Sequence, residues 1–498
     1  MGRGTDGPTR TRTRTGPGAA VRERERRPAG PARVTGRGVL LLTTVATVLA
    51  MMNYTGPLVT VPATVADLGT GVSAQSWLLN GTPLGLAAVL LVAGSLADDL
   101  GRRRMFTVGV LALGVTTGLG ALAPSTVLFT VARVAQGAAS AAVLTSSLGL
   151  IAHAFPGGAA RIKATGMWGA GVSAGIALGP LLFGAFGPLA TASWAAGLRG
   201  AEWRAGYVVL AVLLLLLAAL LPGRLPEWRT PREGRADVAG AVVLGAAAVA
   251  LLAGLTWGRD GWGAVRVWVV LGAALVLAAV FLAVERRAPA PLLAPGLLRQ
   301  RRFLGATAGG LFTGLAVLGF FSYLPTLMQQ ALGLGPFTVS LLSAVWAGTA
   351  LLVALQARRL TGRVTAPRQL AAGFLLSALG VATLWNGLAP GSTWKGLVLG
   401  LVVAGAGSGL LNAALPLVAV ESVPPERAAM GSGANNTARY LGASTGVALS
   451  VAVSTTAHAD TLREALAEGA NRASLTSIAL SVVGAGVVLA LGRRGATR

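Results

Sequence analysis

A chain of 498 residues that is 54% hydrophobic and only 12% charged is too apolar and too long for a single soluble domain. Its net charge of +24 would suit nucleic acid, yet the basic residues are spread over the ends of apolar segments and one tail, which argues for a membrane partner instead. There is no cysteine, so disulfides and thiolate metal sites are excluded.

Residues 1–37 carry ten arginines, several in the run Thr9-Arg10-Thr11-Arg12-Thr13-Arg14, and almost no large apolar side chains. Such a segment cannot form a core and is expected to be a disordered basic tail lying in the cytoplasm beside anionic lipid. A cleaved signal peptide is not expected, because thirteen more apolar segments follow the first. The predicted spans are Val39–Val65, Ser76–Ala97, Phe106–Leu122, Thr126–Ala152, Gly166–Leu189, Gly206–Leu221 and Val238–Trp257, followed by Val267–Val284, Phe303–Met328, Val339–Leu355, Leu370–Leu388, Leu397–Val420, Gly431–Thr455 and Ala473–Leu491. Each is near the roughly 20 residues that a helix needs to cross about 30 Å of hydrocarbon. With the N-terminus inside, the tails and even-numbered connections hold 32 basic residues and the outer connections 7. That asymmetry predicts that both termini are cytoplasmic.

The second and third spans are separated by Gly94-Ser-Leu-Ala-Asp98-Asp99-Leu-Gly101-Arg102-Arg103-Arg104. Gly94 and Gly101 suit a tight turn, and Asp98 stands at the span end, placed to pair with the arginines or with a neighbouring helix N-terminus. Span 4 contains Arg133 and Gln136. A mid-span arginine costs at least ~2.5–3.5 kcal/mol on insertion scales, so it must face protein or a wet cavity. Bonding to backbone carbonyls would explain it as well as a part in transport. Span 5 carries Gly166, Gly175, Gly179, Pro180 and Gly184. Small residues at this spacing let helices pack closely, and the proline permits a bend.

Gly433, Gly442 and Gly446 in span 13 repeat the spacing of Gly166, Gly175 and Gly179 at a constant offset of 267. The break after span 10, Arg358-Arg359-Leu360-Thr361-Gly362-Arg363, is a degraded form of the one after span 2. The expected division is therefore a six-helix half over 38–222, two inserted helices with their loops over 223–302, a second six-helix half over 303–492 and a tail over 493–498. Polar candidates for a cavity between halves are Asn53, Tyr54, Gln136, Tyr323, Asn412, Asn435, Asn436 and Arg439, although interhelical hydrogen bonding is the commoner use of such residues. No Asp or Glu lies mid-span; Asp98, Asp237, Glu285 and Glu421 all fall at span ends. His153 and His458 also fall at span ends and are expected to be solvated.

These motifs resemble those of the major facilitator superfamily, in particular its fourteen-span drug:proton antiporter family. The break at Gly94–Arg104 is similar to the signature after span 2, with Asp99 where a basic residue is usual. Arg133 to Gly137 resembles the span 4 signature, whose arginine is associated with proton transfer. The span 5 glycines and Pro180 match the antiporter motif with Phe183 as a departure, which implies export. Met52 to Pro62, Glu285 to Leu292 and Gly431 to Gly442 resemble further family stretches, with Asn53 where the family has an acid. The resemblance implies an all-α fold and proton-coupled export of amphipathic small molecules such as antibiotics, or of metabolites or siderophores. Coupling candidates are Arg133, Asp98 and Glu421, and no cofactor or metal is expected. A monomer in a bacterial plasma membrane is expected, with lipid, protons and a small-molecule substrate as partners.

A carboxylate would be needed near a cationic drug in a low-dielectric cavity. With Asn53 in span 1 and Arg133 and Arg439 in cavity helices, the cavity is expected to be neutral to positive. Its substrate is then neutral or anionic, such as a polyketide-like or acidic natural product. An intramembrane enzyme would need clustered His, Asp, Glu or Cys inside the spans, and a nucleotide-driven pump a phosphate loop. Neither occurs in the sequence. A receptor or channel fits the bending glycine-proline helix less well than a moving bundle does.

Overall fold

The computed structural model describes residues 2, 36–155, 158–186, 202–227, 238–258, 261–288, 295–357, 364–423, 428–457 and 460–492. Fourteen long helices run through them. In order they are α1 Gly36–Thr55, α2 Val72–Leu100, α3 Arg102–Ala121, α4 Thr126–Ala154, α5 Gly158–Gly184, α6 Glu202–Leu220 and α7 Val238–Gly258. There follow α8 Val265–Arg287, α9 Arg301–Leu332, α10 Pro336–Ala357, α11 Ala366–Ala382, α12 Lys395–Glu421, α13 Ala428–Ser454 and α14 Leu462–Gly492. They correspond one for one to the expected spans. Eleven of them are long and apolar enough to cross a membrane. Helix α11 is short, and α13 carries Asn435, Asn436 and Arg439. Most of the basic tail, the break at 358–363, Asp237, His458 and residues 493–498 lie outside the described residues.

Three local expectations change. The first span is not one helix: α1 stops at Thr55, and a 3-10 turn Gly56–Val59 and a short helix Val61–Asp67 follow. Pro57 and Pro62 cause this, since proline lacks the N–H that would continue the ladder. Gly94 is not part of a turn but lies inside α2, where a Cβ would meet nothing within 4 Å. The turn is made by Gly101 alone, whose φ of +106 belongs to glycine. Helix α11 ends at Ala382, earlier than expected, in a run of turns that includes Asn386 at φ 57.

Glycine spacing converts directly into packing. A Cβ on Gly175 would collide with the Val48 carbonyl, and one on Gly179 would lie 2.6 Å from Thr55 Oγ1, so α5 presses onto α1. A Cβ on Gly442 would strike the Leu311 carbonyl and one on Gly446 the Leu315 carbonyl, so α13 presses onto α9 in the same way. The first and fifth helices of each half thus share one packing mode. Across the halves, α2 faces α13 and α5 faces α10. The inserted helix α7 lies over the α2/α13 seam, with Ala248 and Leu252 packed against Leu84 and Ala448. Helix α8 packs on α7 and exposes Val265, Trp268, Leu275 and Val276. An unburied apolar face of this kind suits lipid.

Candidate functional site

Arg133 is fully buried in the N-terminal half. Its Nη1 donates to the Asn53 carbonyl at 2.8 Å and to Gln136 Oε1 at 3.1 Å, and its Nη2 donates to the Tyr54 carbonyl at 3.4 Å. Gln136 Nε2 in turn donates to the Thr116 carbonyl at 3.1 Å, and Asn53 Nδ2 to Thr117 Oγ1 at 2.8 Å. The carbonyls are available because α1 ends at Thr55, which leaves the last turn without intrahelical donors. The arrangement ties α4 to α1 by charge-assisted bonds and both helices to α3 by neutral amide bonds. Asn53 and Gln136 are spent inside this network and do not line the cavity, because both amides are committed to neighbouring helices.

Tyr54 leaves the network and reaches the seam between halves. Its ring meets Tyr440 of α13 edge-on at 6.0 Å, and its side chain lies beside Ser322 of α9. On the other half, Arg439 Nη2 donates to Asn412 Oδ1 at 2.8 Å. Both residues line a small cavity with Ser173 and Ile176 of α5, Trp346 of α10 and Ser408 of α12. Its volume is about 10 Å³, enough for roughly one water. A wide π turn, Thr313–Leu318 in α9, supplies Thr313, Val317 and Leu318 to the wall. Gly314 in that turn lies against the Arg439 carbonyl and so sets the depth of α13. Neither the π turn nor Trp346 and Ser408 stood out in the sequence; an apolar stretch carries no mark of where a ladder widens.

The other cavity candidates are elsewhere, because their polar atoms serve helix contacts. Asn435 Nδ2 donates to the Ala306 carbonyl at 2.6 Å and Asn436 Nδ2 to the Ser432 carbonyl at 3.1 Å. The Tyr323 hydroxyl accepts from Ser454 Oγ at 3.4 Å. Glu421 is the last residue of α12 and is exposed. Asp98 lies in the last turn of α2, and its side chain is outside the described atoms.

Two of the arginines after that turn are latched, Arg102 within its own half and Arg103 to the connection that follows α6. Arg102 Nη1 donates to the Gly149 carbonyl at 2.8 Å and contacts His153 Nδ1 at 2.7 Å. His153 is therefore engaged rather than merely solvated. Arg103 Nε pairs with Glu227 Oε2 at 3.4 Å, and its backbone N–H donates to Glu227 Oε1 at 3.2 Å. A Cβ on Gly149 would lie 2.7 Å from Arg102 Cδ, so the glycine makes room for that side chain.

Phe183, the departure in the α5 motif, has its own seat. Added Cβ atoms at Gly206 and Gly56 would run into its ring, and Tyr207 meets it edge-on at 4.9 Å. Those two glycines compensate for the bulk.

At the end of the bundle away from the chain termini the halves are bonded to each other. Gln329 Nε2 on α9 donates to the Val59 carbonyl at 2.8 Å, and Ser340 Oγ on α10 donates to the Pro180 carbonyl at 2.7 Å. Gly184 packs against the same Ser340.

Two six-helix halves, joined through an inserted pair of helices and enclosing a small pocket at their seam, define a secondary transporter. Residues 43–447 match the Major Facilitator Superfamily, and the chain belongs to that family, among its drug exporters. It is 31% identical over 436 residues to the puromycin resistance protein pur8 of Streptomyces alboniger, covering 86% of this chain and 83% of that one. It is 30% identical to the probable actinorhodin transporter of Streptomyces coelicolor, over 81% of this chain and 70% of the relative. Among solved structures, the inward-facing, occupied form of a bacterial homologue of the human lysosomal transporter Spinster matches with a TM-score of 0.64 at 16% identity, over 91% of this chain and 96% of that one. That likeness concerns the fold.

Proposed function

We propose that the protein exports amphipathic natural products from the bacterial cytoplasm by alternating access, acts as a monomer, and exchanges protons for its substrate. Both termini lie in the cytoplasm on this reading, in keeping with the 32-to-7 distribution of basic residues. The observation that carries it is the pocket at the seam, together with cross-half hydrogen bonds at the end away from the termini. With the termini inside, those bonds lie at the outer end of the seam. Names of relatives such as the puromycin resistance protein and the actinorhodin transporter support natural products as cargo.

Proton coupling has no mid-span acid to use. Asp98 and Glu421 stand at helix ends on the cytoplasmic side, and Arg133 holds the α1–α4 junction, where its bonds to the Asn53 and Tyr54 carbonyls couple it to the seam. The test is uptake of a chemically diverse panel into inverted vesicles with and without an imposed pH gradient. Gradient-dependent uptake of at least one amphipathic compound is expected. Uptake of none, or uptake indifferent to the gradient, rejects export or proton exchange respectively.

A further inference from the structure

The wall of the central pocket is one-sided in its chemistry. Among its described lining residues there is no carboxylate, while Arg439 brings a full positive charge. Asn412 turns its amide oxygen to Arg439, and its NH2 group remains as a donor. Three further donors in lining residues have no hydrogen-bond partner: Arg439 Nε, the Ser408 hydroxyl and the Trp346 indole N–H. Thr313 is the contrast, since its hydroxyl already donates to the Gly309 carbonyl at 2.7 Å. Unmade buried donors are costly, and a guanidinium without an anion more so. A ligand bearing a negatively charged oxygen repays both.

The same wall carries an aromatic platform. Trp346 lies parallel to Phe321, with ring centroids 4.5 Å apart and planes 6° from each other. Trp346 therefore brings both aromatic area and an unpartnered N–H to the wall. Helices α9, α10, α12 and α13 supply all of these groups, so they belong to the C-terminal half; the facing half contributes Ser173 and Ile176.

We infer that Arg439, Asn412, Ser408 and Trp346 form an anion subsite in the C-terminal half, and that it takes the carboxylate or phenolate oxygen of a planar aromatic acid. The inference rests on the export reading for its purpose but not for its binding chemistry. The pocket is narrow in this structure, so the subsite fills as the halves part.

The test uses full-length protein purified in detergent, with anthraquinone-2-carboxylate and its methyl ester as matched probes and calorimetric titration as the readout. A charge-assisted hydrogen bond predicts that the acid binds roughly tenfold or more tightly than the ester. Arg439→Gln should remove that preference by weakening the acid alone, whereas Trp346→Leu should weaken both probes. If Arg439→Gln does not fold, Ser408→Ala and Asn412→Leu serve in its place, each expected to weaken the acid by more than the ester. Equal binding of the two probes by the unaltered protein overturns the subsite, as does failure to bind either, or an acid preference that survives the substitutions. Uptake of both probes into inverted vesicles separates the two ideas. Transport of the ester without any acid preference rejects the subsite and leaves export standing; tight, Arg439-dependent binding with no transport does the reverse.

Discussion

Arg133 illustrates how one residue can be bound by its surroundings before any transport role is considered. Its guanidinium satisfies the Asn53 and Tyr54 carbonyls where α1 ends and orients Gln136. Each bond to a charged group contributes on the order of 1.5–3 kcal/mol, and a lysine cannot reproduce the planar fork. Arg133→Ala and Arg133→Lys should therefore both lose transport, and Arg133→Ala should also lower the melting temperature of the purified protein. An alanine variant with unchanged melting and efflux would separate the arginine from both roles. Asp98 is the opposite case, an acid at the end of α2 next to the turn at Gly101. Asp98→Asn should slow turnover with little change in substrate affinity. A large loss of binding at normal turnover would place it at the substrate instead.

At the level of helices, the main determinant is how near α5 comes to α1. The Gly175 and Gly179 positions admit no side chain, since added Cβ atoms meet the Val48 carbonyl and Thr55 Oγ1. Such contact between backbones is what holds helices together where lipid removes the hydrophobic drive. Gly179→Leu should abolish export while some protein still reaches the membrane, as read by efflux beside an immunoblot of the membrane fraction. Full activity in that variant would remove the packing argument. The π turn in α9 belongs to the same scale. It places Thr313 and Val317 at the pocket and brings Gly314 against α13, so the cavity wall and the helix contact share one local irregularity.

For the whole molecule, the bonds between the halves at the end away from the termini are decisive. Gln329 and Val59 are bonded across the halves at the end away from the termini, and transport by alternating access needs that contact to break. Because the chain contains no cysteine, a Val59→Cys, Gln329→Cys pair can be read without background. Oxidation of that pair should stop transport and reduction should restore it; transport continuing through a complete cross-link would exclude opening at this end. Orientation is checked separately. Tags at either terminus should be inaccessible from outside intact cells, and an externally accessible C-terminus would contradict an even number of crossings.

Much of this was open to reading from the residues alone. Span count and the charge bias depend on stretches of about 20 residues and on their flanks, so they need no knowledge of neighbours. The repeat was equally visible, because Gly166, Gly175 and Gly179 recur at a fixed offset in α13 and glycine spacing is a one-dimensional record of close packing. Departures from the family pattern were legible but not their consequences: Phe183 is a misfit until Gly56 and Gly206 are seen to receive its ring. Which polar residues face the cavity was decided by tertiary structure. Asn53, Gln136, Asn435, Asn412 and Arg439 look alike along the chain, yet the first three are spent on neighbouring helices and only the last two reach the pocket. A side chain's partner across a helix seam lies tens to hundreds of positions away, and its choice depends on helix rotation and on irregularities such as the π turn, which hydropathy does not encode.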